Sequence, residues 1–178
     1  GLLFFEPSTR TRVGFESAAW KLGIKSVVML ETKLTSSMSA SESIADTIRT
    51  LNPYISAIFI RHPEDKIFER VIPYTSHPVI NCGNGHDEHP TQALIDAYTM
   101  WTKFGTLKGL TITIIGDLKY SRAVHSLLLL LSNFKDITVN AVAPPELQVD
   151  ISLEDYFTRK GKNYGRQKAQ RRCNETVR

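Results

Sequence analysis

The sequence predicts an α/β fold built of parallel sheets with flanking helices. Two observations carry this expectation. Short apolar runs of strand length alternate with stretches whose apolar residues recur at helical spacing. Polar clusters also fall repeatedly just beyond the carboxyl ends of those runs, at Ser8–Thr11, at Arg61, at His89 with Gln92, and at Asp117–Arg122. In open parallel sheets, ligands sit at that edge.

The elements follow in order. Leu2 to Phe5 form an apolar run suited to a buried parallel strand. Pro7 stops its ladder, Ser8 or Thr9 can cap, and Val13, Ala18, Ala19 and Leu22 recur at helical spacing until Gly23. Ser26 to Leu30 predicts a second strand, followed by a polar loop from Glu31 to Ser41. Ser41 is a plausible cap for a helix holding Ile44, Ile48 and Leu51, closed near Asn52-Pro53. Ile55 to Ile60 is the third strand, with Arg61-His62-Pro63 directly behind it. A short helix around Ile67 and Val71 leads to a strand from Val79 to Cys82. The loop Gly83–Glu88 opens onto a helix from Pro90 to Phe104. Leu110–Ile115, the turn Gly116–Ser121, a very apolar helix Ala123–Leu131 and the strand Ile137–Ala143 complete the pattern, which fades beyond Pro145.

Charge divides the chain unevenly. The net charge is +4, yet residues 159–178 carry eight Lys or Arg against Glu175 alone. The other 158 residues hold 14 basic and 17 acidic side chains. The basic balance therefore belongs to the tail, which predicts a solvated, disordered end and no nucleic-acid partner for the globular part. No apolar run approaches the ~20 residues of a membrane span, so no membrane partner is expected. Cys82 and Cys173 stand far apart and outside any paired motif, which suits a reducing cytoplasm. Gly1 is not an initiator and the sequence opens in mid-strand, so we expect a fragment lacking its natural N-terminus.

The polar clusters suggest a chemistry. A helix N-terminus offers unpaired N–H groups and a partial positive charge to a phosphate. Ser8, Thr9 and Thr11 add hydroxyls there, and Arg10 adds a guanidinium fork. The bland alternative is a capped amphipathic helix with solvated arginines. No glycine-rich loop is present, which excludes a Walker loop and a dinucleotide fingerprint. Arg10 and Arg61 supply two cations after separate strands, a sensible clamp for a dianion. His89 and Gln92 flank Pro90 at another helix start, where neutral donors suit a carbonyl oxygen that gains charge during acyl transfer; a surface capping histidine is the plainer reading. His86-Asp87-Glu88-His89 lacks metal-site spacing and a third ligand, so no metal is expected. Ser8 has no adjacent base, which argues against a covalent route.

Four ordered blocks then carry a family resemblance. They are Phe4-Phe5-Glu6-Pro7-Ser8-Thr9-Arg10-Thr11-Arg12, Arg61-His62-Pro63, His89-Pro90-Thr91-Gln92 and Gly116-Asp117-Leu118-Lys119-Tyr120-Ser121-Arg122. Together, over roughly residues 1–150, they closely resemble the catalytic chain of the aspartate carbamoyltransferases. Ornithine carbamoyltransferases share the Ser-Thr-Arg-Thr-Arg element but typically have Cys where Thr91 stands, so they are a distant alternative.

The resemblance implies a reaction of carbamoyl phosphate with L-aspartate, giving carbamoyl aspartate and phosphate, the committed step of de novo pyrimidine synthesis. It implies that Ser8, Thr9, Arg10 and Thr11 bind the phosphate, with Thr11 also near the carbonyl. Arg61 would reach phosphate and carbonyl oxygens, His89 the carbonyl oxygen, Gln92 the carbamoyl nitrogen, and Arg122 an aspartate carboxylate. No metal or organic cofactor takes part. A homotrimer with shared active sites is implied, joined in many relatives by regulatory chains. The domains expected are a carbamoyl-phosphate-binding domain over 1–104, with 90–104 a linking helix, and the start of an aspartate-binding domain over 105–158. A basic, disordered tail over 159–178 follows.

Two departures from the family shape a rival expectation. Ser36 matches the family's serine on the loop that enters a neighbouring subunit's site, but Ala40 stands where the family has lysine. The family also continues well beyond this chain, with a further aspartate-binding arginine. Both departures predict a truncated, impaired enzyme, or a catalytically silent module for carbamoyl-phosphate binding or assembly.

Overall fold

A computed structural model describes residues 1–30 and 42–168. The polar loop with Ser36, Ala40 and Ser41, and the segment 169–178, lie outside the described residues. The chain divides into two compact units, Gly1–Gln92 and Ala93–Arg178. That division falls inside the helix expected to close the first domain at residue 104.

In the first unit, β1 (Leu2–Phe4), β2 (Val28–Leu30), β3 (Ile58–His62) and β4 (Val79–Asn84) form one parallel sheet in the order β2-β1-β3-β4. Period-two alternation along β1 gives the sheet two cores. Leu3 joins Ile44, Ile48, Ile58, Ile60, Ile67 and Val71 on one face. Leu2 and Phe4 join Cys82 on the other, packed by Phe15, Phe59 and Ile80. Each such aliphatic or aromatic side chain, once buried, contributes about 1.5–3 kcal/mol.

Helix α1 (Thr9–Lys21) ends as glycine at position 23 predicts. Gly23 takes φ +70°, its N–H donates to Trp20 O at 3.1 Å, and Ile24 N–H donates to Ala19 O at 2.8 Å. That pair of bonds is a Schellman closure. The apolar spacing was a good guide to the helix and a poor one to its packed face. Val13 and Leu22 are 48% and 74% exposed, and none of the helix residues is buried. At 100° per residue, positions 18, 19 and 22 fall within about 100° of one another on the side of Phe15, and Val13 lies on the opposite side. Contact with the sheet runs through Phe15, whose ring lies 4.9 Å from that of Phe59.

Helix α2 (Ile44–Leu51) is capped by Ser43, not by Ser41 as its sequence suggested. Ser43 Oγ accepts the Asp46 N–H at 3.2 Å and donates to the Asp46 carboxylate at 2.7 Å. Helix α3 (Ile67–Val71) completes the cover over the Leu3 face through Ile67 and Val71.

Helix α4 (Pro90–Phe104) leads into the second unit. There β5 (Thr111–Ile115), β6 (Thr138–Ala143) and β7 (Asn163–Lys168) run parallel in the order β5-β6-β7 without a register break. Helices α5 (Arg122–Leu131) and α6 (Ile151–Arg159) supply Leu128, Leu131 and Phe157 to a core with Val139, Ala141 and Ala143.

The expectation of a disordered tail from residue 159 is corrected here. Residues 163–168 are strand β7, paired with β6 from Asn163↔Thr138 to Lys168↔Ala143. Its order comes from the backbone ladder and from few side chains, which is why a polar Asn-Tyr-Gly-Arg-Gln-Lys run gave no strand signal. Tyr164 meets Phe157 edge to face at 6.2 Å, and burial pushes its phenol up to about 12. Arg166 donates to the Glu154 carboxylate and to Val149 O, at 3.2 Å for the latter. Among the described residues no helix is long and apolar enough to cross a membrane.

Candidate active site

The first unit brings three chain segments to the carboxyl edge of its sheet. The turn after β1 presents Glu6 and then the start of α1. Ser8 is the N-cap in an extended conformation (φ −158°), and its hydroxyl makes no capping bond. The intrahelical ladder opens with Arg12 N–H to Ser8 O at 3.4 Å, so the N–H groups of Thr9, Arg10 and Thr11 precede it. No acidic residue occupies the first turn. Arg12 pairs with Glu16 at 3.9 Å, whereas Arg10 is exposed and has no ion-pair partner among the described residues. Exposed N–H groups, free hydroxyls and an uncommitted guanidinium together form an anion cradle.

Arg61 does not follow β3, as its sequence suggested, but lies within the strand. Its guanidinium is half-buried and committed. Nη2 pairs with Glu6 Oε1 at 2.7 Å, with the two side chains only 13% and 21% exposed. Nη1 donates to Cys82 O at 3.4 Å and lies 3.4 Å from His89 Nε2. Beside it, burial pushes the Cys82 thiol up to about 12, only partly offset by the positive charge of Arg61.

The ladder between β3 and β4 breaks at this point. Ile60 pairs with Asn81 and His62 with Asn84, so Arg61 alone stands opposite both Cys82 and Gly83. A bulge of this kind re-aims a side chain at a sheet edge.

His89 is 8% exposed at the entry to α4. Its Nδ1 lies 3.3 Å from Thr91 Oγ1. Arg61 can only donate, so in this arrangement His89 Nε2 accepts and Nδ1 offers its proton to the threonine. A hydroxyl can reverse that role, leaving Nε2 to donate to an incoming oxygen. Gln92 sits one turn into α4, its N–H bonded to His89 O at 3.0 Å.

The structure thus places Arg61 and His89 in contact and sets Ser8, Thr9, Arg10 and Thr11 on the neighbouring helix start. Arg122 belongs to the second unit, as the first residue of α5 after the β5 turn. In that turn Asp117 Oδ1 accepts the N–H groups of Lys119 and Tyr120 at 3.1 and 3.0 Å. Ser36 and Ala40 lie outside the described residues.

Two contributors escaped the sequence. Glu6 and Thr91 stood inside quoted motifs, but only coordinates show that one carboxylate holds Arg61 and one hydroxyl holds the imidazole. Among the described residues no three His, Cys, Asp or Glu side chains converge as a metal site.

Against known proteins, residues 1–102 match the family described as aspartate/ornithine carbamoyltransferase, carbamoyl-P binding domain. The chain belongs to the aspartate/ornithine carbamoyltransferase family. Among relatives of this family, the aspartate carbamoyltransferase catalytic subunit of Picrophilus torridus is 48% identical over 147 residues, which are 83% of this chain and 48% of that subunit. The multifunctional protein pyr1-3 of Dictyostelium discoideum is 45% identical over 159 residues, 89% of this chain and 7% of its own length. An aspartate transcarbamoylase of Trypanosoma cruzi, solved in complex with carbamoyl phosphate and aspartate, superposes with a TM-score of 0.87 at 40% identity. The match covers 93% of this chain and 56% of that one. The chain spans about half the length of the catalytic subunits it matches. The α/β architecture with parallel sheets is that of these transcarbamoylases.

Proposed function

We propose that this chain supplies the carbamoyl-phosphate half of an aspartate carbamoyltransferase. The observation that carries the reading is the pairing of an uncommitted anion cradle at α1 with the Arg61–His89 contact beside it. The phosphate of carbamoyl phosphate sits on the N–H groups and hydroxyls of Ser8, Thr9 and Thr11, with Arg10 closing over it. The carbonyl oxygen takes the place between Thr11, Arg61 and His89, and Gln92 receives the carbamoyl nitrogen.

The neutral amine of L-aspartate attacks the carbonyl carbon. Negative charge then grows on the carbonyl oxygen, where Arg61 donates and His89 donates once its tautomer reverses, an arrangement worth about 3–4 kcal/mol per donor. The carbon–oxygen bond to phosphate breaks, phosphate leaves with the bonding pair, and the former amine gives up a proton. Arg122 holds an aspartate carboxylate. The active unit is a cytoplasmic trimer whose sites take a loop from the neighbouring copy, the loop that contains Ser36 and Ala40, with regulatory chains as further partners. Because Ala40 removes an ammonium from that loop, the rival reading is a chain that binds carbamoyl phosphate without turning it over.

Calorimetry with phosphonoacetamide on the folded chain tests the reading. Wild type is expected to bind, and Arg10→Ala to bind about 10–100-fold more weakly, the scale of one charge-assisted contact. Equal binding by both proteins, or none by a folded wild type, refutes it.

A further inference from the structure

Arg61 and His89 meet beside the bulge of the β3–β4 ladder, where backbone pairs join His62 to Asn84 and Asn84 to Glu88. Regular pairing of β3 with β4 stops at Ile60↔Asn81 and resumes only at His62↔Asn84, past the bulge. Beyond it, the loop after β3 (Pro63–Lys66) and the loop after β4 (Gly85–Glu88) hold one another by a reciprocal exchange. Asp65 Oδ1, from the first loop, accepts the His86 N–H of the second at 2.7 Å. Asp87 Oδ2, from the second, accepts the Lys66 N–H of the first at 3.1 Å.

Three further features fit that exchange. Gly85 N–H donates to His62 O at 2.9 Å, and Asn84 Nδ2 donates to Asp87 Oδ2 at 3.1 Å. Gly85 takes φ +41°, and a Cβ there would collide with the Asp65 carboxylate, so the glycine makes room for it. Lys66 is one of only two non-glycine residues with positive φ among the described residues, at φ 54°. A lysine has no local reason to adopt that conformation. The Asp87 bond to its N–H gives it one.

We propose that Asp65 and Asp87 are positioning residues that set the distance between Arg61 and His89, and thereby the fit of the carbonyl end of the ligand. The proposal rests on the carbamoyl-phosphate reading above. Neither carboxylate touches ligand; each acts through the backbone of the opposite loop. The cradle at α1 lies outside this exchange. Loss of the clamp therefore affects a ligand that carries both phosphate and carbonyl more than it affects phosphate alone. Misplacement of a donor by about 1 Å suffices for losses of tenfold to a hundredfold.

The test is calorimetry on the full chain with two probes, inorganic phosphate and phosphonoacetamide. Asp65→Ala and Asp87→Ala are expected to weaken phosphonoacetamide by at least about tenfold while phosphate changes by less than about twofold. Asp65→Asn and Asp87→Asn keep an acceptor oxygen and are expected to restore the preference for phosphonoacetamide. Equal weakening of both probes in the alanine variants shows a merely structural role and overturns the proposal. So does an unchanged ratio. Where alanine prevents folding, Asp65→Glu, which displaces the acceptor by one methylene, takes its place with the same two outcomes. A folded wild type that binds neither probe refutes the carbamoyl-phosphate reading instead. The clamp is then judged without ligand from the His89 side-chain nitrogen resonances: a shift in Asp65→Glu upholds it, and coincident spectra overturn it.

Discussion

Replacing Glu6 by glutamine should separate the stability of the first unit from its readiness for an anion. In the folded chain Glu6 Oε1 lies 2.7 Å from Arg61 Nη2, with 13% and 21% of the arginine and glutamate side chains exposed. Removing one member of a fully buried ion pair costs about 3–5 kcal/mol. This pair retains some solvent, and Arg61 keeps its contacts to Cys82 O and His89, so a loss of about 1–3 kcal/mol is expected. For a unit of this size, each kcal/mol corresponds to roughly 4–8 °C in Tm. The substitution also removes a negative charge two residues before Ser8, the N-cap of the α1 cradle that takes the phosphate. Saturating phosphate should therefore raise Tm further in Glu6→Gln than in wild type. Thermal melts of both proteins, with and without phosphate, read the two effects side by side. A variant that melts within about 1 °C of wild type, or that gains no more from phosphate, would show that the pair is not what holds Arg61.

Three further predictions concern other parts of the molecule. Cys82, buried and pushed up to about 12, should resist a disulfide reagent at pH 8 until the chain unfolds, as followed by peptide mass; rapid native labelling would contradict its burial. Gly85→Ala, which forces a Cβ onto Asp65 at positive φ, should lower stability in chemical denaturation by about 1–3 kcal/mol, and a neutral result would mean that the loop has an alternative path. Ala40→Lys, made in this chain extended by the remaining half of a relative's catalytic chain, should raise carbamoyl aspartate formation at least about a hundredfold; equal rates with and without the lysine would show that position 40 plays no such part.

Much of this was legible in the residues because strands and helices here carry unmistakable periods. The apolar runs at Leu2, Ile58 and Val79 and the proline-led helix at Pro90 announce themselves. The site motifs lie at strand ends, where topology alone directs attention. What the residues hid follows a common cause: it is held by backbone bonds rather than by apolar pattern. Strand β7 is ordered by its ladder to β6, and the cap of α2 fell at Ser43 because that hydroxyl, two residues after the candidate Ser41, reaches Asp46. The Arg61–Glu6 pair joins residues 55 positions apart, beyond the reach of any local signal.

The strand order of the first unit also has a consequence in time. Strand β1 lies between β2 and β3, and its register with β3 joins Leu2 to Phe59. During synthesis, at about 5–20 residues per second, Leu2, Leu3 and Phe4 must wait several seconds for that neighbour to be made, and longer for it to clear the ribosome. Until then β2 can pair with one edge of the strand, but the row of amide groups on its other edge has no partner. Strand β1 precedes both of its neighbours in the chain and is flanked on both sides only once β3 exists, so the nascent chain passes through an interval in which it is open to capture by a chaperone.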